Sequence, residues 1–179
     1  MKKLNLKFDQ ILCYQYEKHK DLRGYFIESF NKLEIKKNFG LDINCFQQNI
    51  VFSKNNVLRG LHYQKGSKSQ GKLISVIEGK ILDVVVDIRK NSKTFGKWIF
   101  IELSKSNRKI LWVPKGFAHG YYTLSDYNLV NYLVDKPYYP EFQRSIKWND
   151  EKLNIKWPFK KNPILSLNDK IAKSFSELF

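Results

Sequence analysis

Disulfide frameworks, metal clusters and membrane spans all need residues that this sequence has little of. Only two cysteines, Cys13 and Cys45, occur in 179 residues. Two are too few for a disulfide framework, and their spacing matches no metal or redox motif, so a reducing cytoplasm is the expected compartment. Histidines number three: His19, His62 and His119. Tyr63-Gln64 follows His62, so there is no His-x-His, and the nearest downstream carboxylate, Glu78, fits a turn corner better than a ligand set. Zinc or iron wants at least three protein ligands at suitable spacing, so no metal is expected. No run approaches the roughly 18 apolar residues that cross a bilayer. The basic start, Met1-Lys2-Lys3, leads into no apolar stretch, so a soluble, unprocessed chain is expected. No segment repeats at a period of 20–50 residues or falls to low complexity. Acidic residues are also scarce: 17 Asp and Glu against 32 Lys and Arg give a net charge of +15.

That charge has three readings. Nucleic-acid binding is one. The lysines, however, are scattered from end to end rather than clustered, which argues for a solvated surface and against nucleic acid. A positive field would also draw in a small polyanion such as a nucleotide diphosphate. What is abundant is apolar and aromatic: 42% hydrophobic and 15% aromatic residues exclude disorder. The length suits a single domain, 1–179, with a self-sufficient core.

Short strands with frequent turns dominate. Residues 4–16 contain β-formers and fit a strand pair. Asp21-Leu22-Arg23-Gly24 reads as a turn into a strand over Tyr25–Phe30. Asn31 can cap a helix over Lys32–Asn38 that Gly40 ends. Lys72–Glu78 and Ile81–Ile88 flank Gly79-Lys80, a hairpin signal. Further strands are expected over Thr94–Leu103, Lys109–Val113, Gly120–Leu124 and Asn128–Val134, with loops at Ser104–Arg108 and Pro114–His119. Ser166 can cap a helix over Leu167–Leu178, with Asp169 in capping-box position. The fold class expected is all-β: an antiparallel jelly-roll barrel with short helices and a helical tail.

The chemistry concentrates in Asn56-Val57-Leu58-Arg59-Gly60-Leu61-His62-Tyr63-Gln64 and in Gln70-Gly71-Lys72-Leu73. Strand interiors seldom carry so many titratable and hydrogen-bonding groups unless they line a pocket. Imidazole titrates close to neutral pH, which makes His62 a candidate general base. A base wants an orienting carboxylate, for which Asp83, Asp87 and Asp169 are available. It also wants an acid, for which Tyr132 is available, and a cation where negative charge develops. Arg59 and Lys72 can supply the cation. Arg59 and His62 are three residues apart, so a regular strand would point them to opposite faces. If both face one pocket, the strand must break at Gly60. His19, among Lys18, Lys20 and Asp21, belongs to an exposed turn.

Five segments in order carry a likeness: Asn56–Gln64, Gln70–Leu73, Thr94-Phe95-Gly96-Lys97-Trp98, Pro114-Lys115-Gly116-Phe117-Ala118-His119-Gly120 and Trp148-Asn149-Asp150. Together they closely resemble the dTDP-4-dehydrorhamnose 3,5-epimerase family, cupins that work without a metal. The resemblance runs from about Arg23 to Asp169. It implies a substrate that is a dTDP-linked 4-keto-6-deoxyhexose, epimerised at C3 and C5 through an enolate, with no cofactor. It implies His62 as base, Asp169 as its orienting partner, Tyr132 as acid and Lys72 as the enolate's cation. Arg23, Phe26, Glu28, Gln47, Asn49, Arg59 and His119 would hold the sugar, diphosphate and nucleotide. Tyr138 and Gln143 complete the expected substrate-binding set. A homodimer with site residues shared between subunits is also implied, in the cytoplasm and without a membrane.

Read singly, several of these residues have plainer uses. Asp169 can be a helix cap, Tyr132 and Phe26 core aromatics, and Tyr138 the filling of a turn before Pro140. Two positions depart from the family's pattern, which usually has glutamate where this chain has Gln143 and lysine where it has Asn168. Gln48 also stands where aspartate is common. The departures keep two alternatives open. One is a 3-epimerase or ketoisomerase on another nucleotide-linked keto sugar; the other is a cupin that binds a sugar nucleotide or nucleic acid without turnover.

Overall fold

The computed structural model describes residues 2–159 and 161–179. Thirteen strands are found among them: β1 (Lys2–Leu4), β2 (Leu12–Gln15), β3 (His19–Asp21), β4 (Gly24–Phe26), β5 (Gln47–Lys54), β6 (Leu58–Gln64), β7 (Lys72–Glu78), β8 (Lys80–Asp87), β9 (Trp98–Ser104), β10 (Lys109–Val113), β11 (Phe117–Thr123), β12 (Tyr127–Val134) and β13 (Gln143–Ser145). Helices α1 (Lys32–Phe39), α2 (Leu167–Lys170) and α3 (Phe175–Leu178) and two 3-10 turns, Gly66–Lys68 and Pro140–Phe142, complete the regular structure among the described residues.

From β5 onward the chain switches sheets repeatedly, the habit of a jelly roll. One sheet has the order β1-β2-β10-β7-β12-β5 and the other β13-β6-β11-β8-β9, while β3 and β4 form a separate ribbon. The interior between the two large sheets holds Ile74 and Val76 of β7, Ile81 and Val85 of β8, Leu111 of β10, Tyr121 of β11 and Val130 of β12. Alternation along each strand sends the neighbours outward. Leu12, Tyr14, Ile110 and Trp112 pack against α1 through Ile35. Val84, Val86 and Ala118 pack under the tail through Phe175. Among the described residues the strand ladders form two separate sheets, and no strand pairing joins them into one closed barrel.

The helix at Lys32 forms as its signals require. Asn31 accepts a hydrogen bond from the Glu34 N–H, and Gly40 ends the helix at φ 69°. Of the strand pair expected over residues 4–16, β2 forms there, while its partner β1 lies earlier and reaches that range only at Leu4. Other expectations need correction. The strand from Tyr25 stops at Phe26, so Ile27–Phe30 is irregular. The strand expected from Thr94 starts at Trp98, because Thr94 is taken up by the Asp87 carboxylate, 2.6 Å from its hydroxyl. The Pro114–His119 loop ends early, with Phe117, Ala118 and His119 already in β11.

The hairpin at Gly79 does not form. β7 and β8 lie in different sheets, and Gly79, at φ 85°, turns the corner between them. A Cβ there would sit 2.1 Å from the Tyr127 carbonyl, and the next N–H, Lys80, donates to Ser125 Oγ at 2.8 Å. A glycine turn signals reversal; it does not name the strand that pairs, and two strands apolar on both faces both find partners elsewhere.

The single tail helix is in fact two one-turn helices. Ser174 restarts the structure with its own capping box to Glu177. Between them Lys173 bridges Ile146, an extended contact that a continuous helix would forbid. The tail is pinned at both ends, by a second bridge of Ile164 to Val57 and by buried Asp150, which accepts from the Phe175 N–H at 2.7 Å.

The break at Gly60 is present. Arg59 pairs with Tyr121 and His62 with His119, so three steps along β6 answer two along β11. Gly60 has φ 128°, and the Gly60–Leu61 peptide is cis. A Cβ on Gly60 would meet Gly120 Cα at 2.5 Å. We therefore expect Gly60→Ala to destabilise the fold by about 2 kcal/mol or more, measured as a lower urea midpoint. An unchanged midpoint would show that the neighbouring strand gives way freely.

Candidate active site

The bulge brings Arg59 and His62 to the same side, and the open end of the sheets supplies the rest. On β5, alternate residues Gln47, Asn49 and Val51 face a cavity; on β12, Tyr132 and Val134 do so, opposite Asn49 and Gln47 in register. Lys72 opens β7 beside Val134, and His119 lies across from His62. Gln70, Tyr138 and Gln143 close a space of about 440 Å³. Nine of the expected residues thus line one cavity: His62, Lys72, Tyr132, Gln47, Asn49, Arg59, His119, Tyr138 and Gln143.

Asp169 stands behind them. Its Oδ1 lies 2.6 Å from His62 Nε2, and its Oδ2 accepts from Ser166 Oγ at 2.8 Å. Burial would raise this carboxyl, but the hydrogen bonds from His62, Ser166 and the Gly60 backbone outweigh it and hold it below the usual value. The pair is asymmetric: the Asp169 side chain is 2% exposed and the His62 side chain 29%. Nε2 therefore donates to a fixed carboxylate, leaving Nδ1 as the imidazole's free acceptor. Asp169 is also the residue that Ser166 caps, its backbone N–H donating to Ser166 Oγ at 3.1 Å. Its carboxylate, however, turns to the histidine.

Burial drives the other titratable groups in opposite directions. It pushes the Tyr132 phenol well above its ordinary range, with Tyr121 and Asp83 adding to the rise, so the side chain keeps its proton. It pulls the Lys72 ammonium down to about 8, against the attraction of Asp83. Arg59 is braced by Ser53 Oγ at 3.0 Å, and the same oxygen is 2.9 Å from the Tyr121 hydroxyl. A chain of polar contacts, Arg59–Ser53–Tyr121, thus supports the wall beside Tyr132.

Three expected residues lie elsewhere. Arg23 and Phe26 sit on the β3–β4 ribbon, where Arg23 binds Asp21 with its side chain 91% exposed. Phe26 is exposed, and Glu28 accepts from Asn31 Nδ2 at 3.1 Å. Sequence reasoning missed Gln70, Ser53 and Tyr121 as parts of the site. The alternation that selects Gln47 and Asn49 would also have found Ser53 on the same face of β5. Of the other two carboxylates considered for His62, Asp87 binds Arg89, Ser92 and Thr94, and Asp83 binds His119. A larger hollow of about 710 Å³ lies on the opposite face of the six-stranded sheet. Its one carboxylate, Glu78, is committed to Lys105 at 2.6 Å, so it lacks a base. Among the described residues, no three His, Cys, Asp or Glu converge on a point that could hold a metal.

The arrangement can take a proton from carbon on one side, stabilise the resulting anion, and return a proton from the phenol. Comparison with known proteins agrees with that chemistry. The model of a family described as dTDP-4-dehydrorhamnose 3,5-epimerase matches residues 5–177. The chain is 47% identical over 152 residues to a dTDP-4-dehydrorhamnose 3,5-epimerase from Salmonella typhimurium, covering 85% of this chain and 83% of that one. It is 40% identical over 178 residues to the protein of the same name from Escherichia coli, covering 99% and 96%. A crystal structure of dTDP-6-deoxy-D-glucose-3,5-epimerase from Legionella pneumophila, in complex with dTDP-4-keto-L-rhamnose, superimposes with a TM-score of 0.95 at 39% identity, covering 99% and 94%.

The His62–Asp169 contact has a direct spectroscopic consequence. The 15N spectrum of His62 should show a single Nε2–H tautomer in the intact protein and a tautomer mixture in Asp169→Ala. A mixture in both would mean that the carboxylate does not fix the ring.

Proposed function

The chain belongs to the dTDP-4-dehydrorhamnose 3,5-epimerase family, and from that premise we propose that it converts dTDP-4-dehydro-6-deoxy-D-glucose to dTDP-4-dehydro-L-rhamnose by inverting C3 and C5. The enzyme is an isomerase, and the observation that carries this reading is the meeting of His62, backed by Asp169, with Tyr132 in one cavity.

The ketone at C4 acidifies the hydrogens on both neighbouring carbons. His62 Nδ1 takes one of them; Asp169, on the other nitrogen, stabilises the imidazolium that results. The electron pair moves onto the ketone oxygen, and the Lys72 ammonium stabilises the enolate in a site where water is partly excluded. Tyr132, its phenol kept protonated by burial, returns a proton to the opposite face. His62 then gives its proton up to water and Tyr132 regains one from water, and the same steps at the second carbon complete the change. Bonds to hydrogen are broken and remade by proton transfer alone, and the ketone is the electron sink, so the reaction is redox-neutral. Arg59 and His119 would meet the sugar and diphosphate, and Gln47, Asn49, Tyr138 and Gln143 the remainder of the ligand.

The placement of Arg23, Phe26 and Glu28 away from the cavity supports a homodimer in which the β3–β4 ribbon of one subunit completes the partner's site. The outer face of the six-stranded sheet leaves Ile50, Phe52, Ile77 and Tyr127 exposed, an apolar area suited to such a contact. Two free cysteines and a nucleotide substrate fit a cytoplasmic enzyme.

Turnover of the keto sugar in deuterated water should place deuterium at both C3 and C5; label at C3 alone would make the protein a 3-epimerase, and none at either would end the proposal. His62→Ala should slow exchange by about 10³-fold. Lys72 is charged below about 8 and neutral above it, so the rate should fall as pH rises through that value. Lys72→Met should be slow and lack that fall.

The dimer has a separate test. A mixed dimer of Arg23→Ala and His62→Ala subunits contains one intact site only if Arg23 serves the partner. Activity should therefore return on mixing, and its failure to return would assign Arg23 to its own subunit or to no site.

A further inference from the structure

One carboxylate buried behind the cavity wall has no part in the steps above. Asp83 stands between Ile81 and Val85 on the inward side of β8, in the core between the sheets, and is fully buried. Its Oδ2 lies 2.7 Å from Nε2 of His119, itself buried. Its Oδ1 accepts no hydrogen bond from any described residue. An ionisable group in that position costs more than an apolar or amide side chain of the same shape, so packing alone does not explain it.

We propose that Asp83 is a positioning residue for the proton transfers, fixing His119 through its Nε2–H and acting as the buried counter-charge of Lys72. The role rests on the function proposed above and adds to it a residue that touches no substrate. From β8, Asp83 holds His119 of β11 by a hydrogen bond, and its charge and that of Lys72 on β7 each stabilise the other's ionised form. With Nε2 committed downward, His119 presents Nδ1 to the cavity in one orientation. Burial raises the Asp83 carboxyl, with His119 and Lys72 opposing, and Asp83 in turn supports the charged form of Lys72. The other charged or titratable groups around Lys72 are accounted for. Arg59 and His62 face it from β6, Tyr132 from β12, and Tyr121 neighbours His119 on β11. Asp135, beyond β12, accepts from the Gly71 N–H at 2.7 Å and has Lys115 at 4.0 Å. Asp169 is committed to His62 and Ser166.

Asp83→Asn keeps the shape and an oxygen that can accept from His119, but not the charge. The titration of the Lys72 amine, followed by NMR, should move down by about one pH unit. The alkaline fall in deuterium exchange should move with it, while the KM for the keto sugar changes by less than about threefold and kcat at pH 8 drops about fivefold. In a Lys72→Met background, Asp83→Asn should displace no limb. Asp83→Leu should in addition release His119 into a mixture of tautomers in the 15N spectrum; if that variant does not fold, Asp83→Asn alone decides. An unmoved Lys72 titration and an unmoved alkaline limb in Asp83→Asn would overturn the proposal, even if activity were reduced. Absence of exchange in the unaltered protein would instead sink the proposed reaction, and the Lys72 titration would still decide the role of Asp83.

Discussion

The site depends on two backbones that nearly touch. Gly60 and Gly120 approach so closely that a Cβ on either would fall within 2.7 Å of the other strand's backbone. That approach lets β6 carry one residue more than β11 across the same span. Without the extra residue, strand alternation would send Arg59 and His62 to opposite faces. One would reach the cavity and the other the layer under the tail, where Leu61 now packs. A local irregularity of backbone is thus the condition for an imidazole and a guanidinium to line one cavity.

The same irregularity prepares the base's partner. The Gly60 N–H is one of the donors that hold the Asp169 carboxyl ionised. Asp169 arrives on a one-turn helix that has too few internal hydrogen bonds to hold itself in place. Its position comes from the tail's attachments instead: the Ile164 and Lys173 bridges on either side, and Phe175, packed 5.1 Å from Phe95 with its N–H on Asp150. The aromatic cluster beneath the tail therefore serves the histidine at a distance, because tail packing fixes the carboxylate that fixes the ring.

Much of this was legible in the sequence where the signal is local. Asn31 and Gly40 bound a helix because a cap and a left-handed residue act within one turn. The polar residues in strand-like sequence marked the cavity because a buried polar group needs a partner or a ligand. Pairing was not legible in the same way. Gly79 is a sound turn signal, yet the strands it joins separate into two sheets. The tail offered two N-caps, Ser166 and Ser174, and a helical pattern spans both; only the extended contact of Lys173 with Ile146 separates them. Asp83, Asp87 and Asp169 look alike in sequence. Their assignments depend on which strand crosses over which, and that is a property of the sheet order. Arg23, Phe26 and Glu28 fall outside the cavity of their own chain, and the proposed homodimer, with the β3–β4 ribbon reaching the partner's site, would account for them.

The two histidine–aspartate contacts make the last point. Their geometry is nearly the same, 2.6 Å for His62–Asp169 and 2.7 Å for His119–Asp83. Their settings are opposite. Asp169 has a hydroxyl and a backbone N–H besides the imidazole, and its carboxyl is held down. Asp83 has only the imidazole as a hydrogen-bond partner among the described residues, and burial drives its carboxyl up. Like contacts thus have unlike proton affinities because of what else each carboxylate touches. In the proposed mechanism a proton taken by His62 would stay on the imidazole, because the carboxylate beside it is already satisfied by other donors. Under His119 the carboxylate is short of donors, and the charges of His119 and Lys72 are what oppose its upward shift. The division of labour between the two pairs is set in the shell behind the histidines, by Ser166 and Gly60 on one side and by bare apolar core on the other.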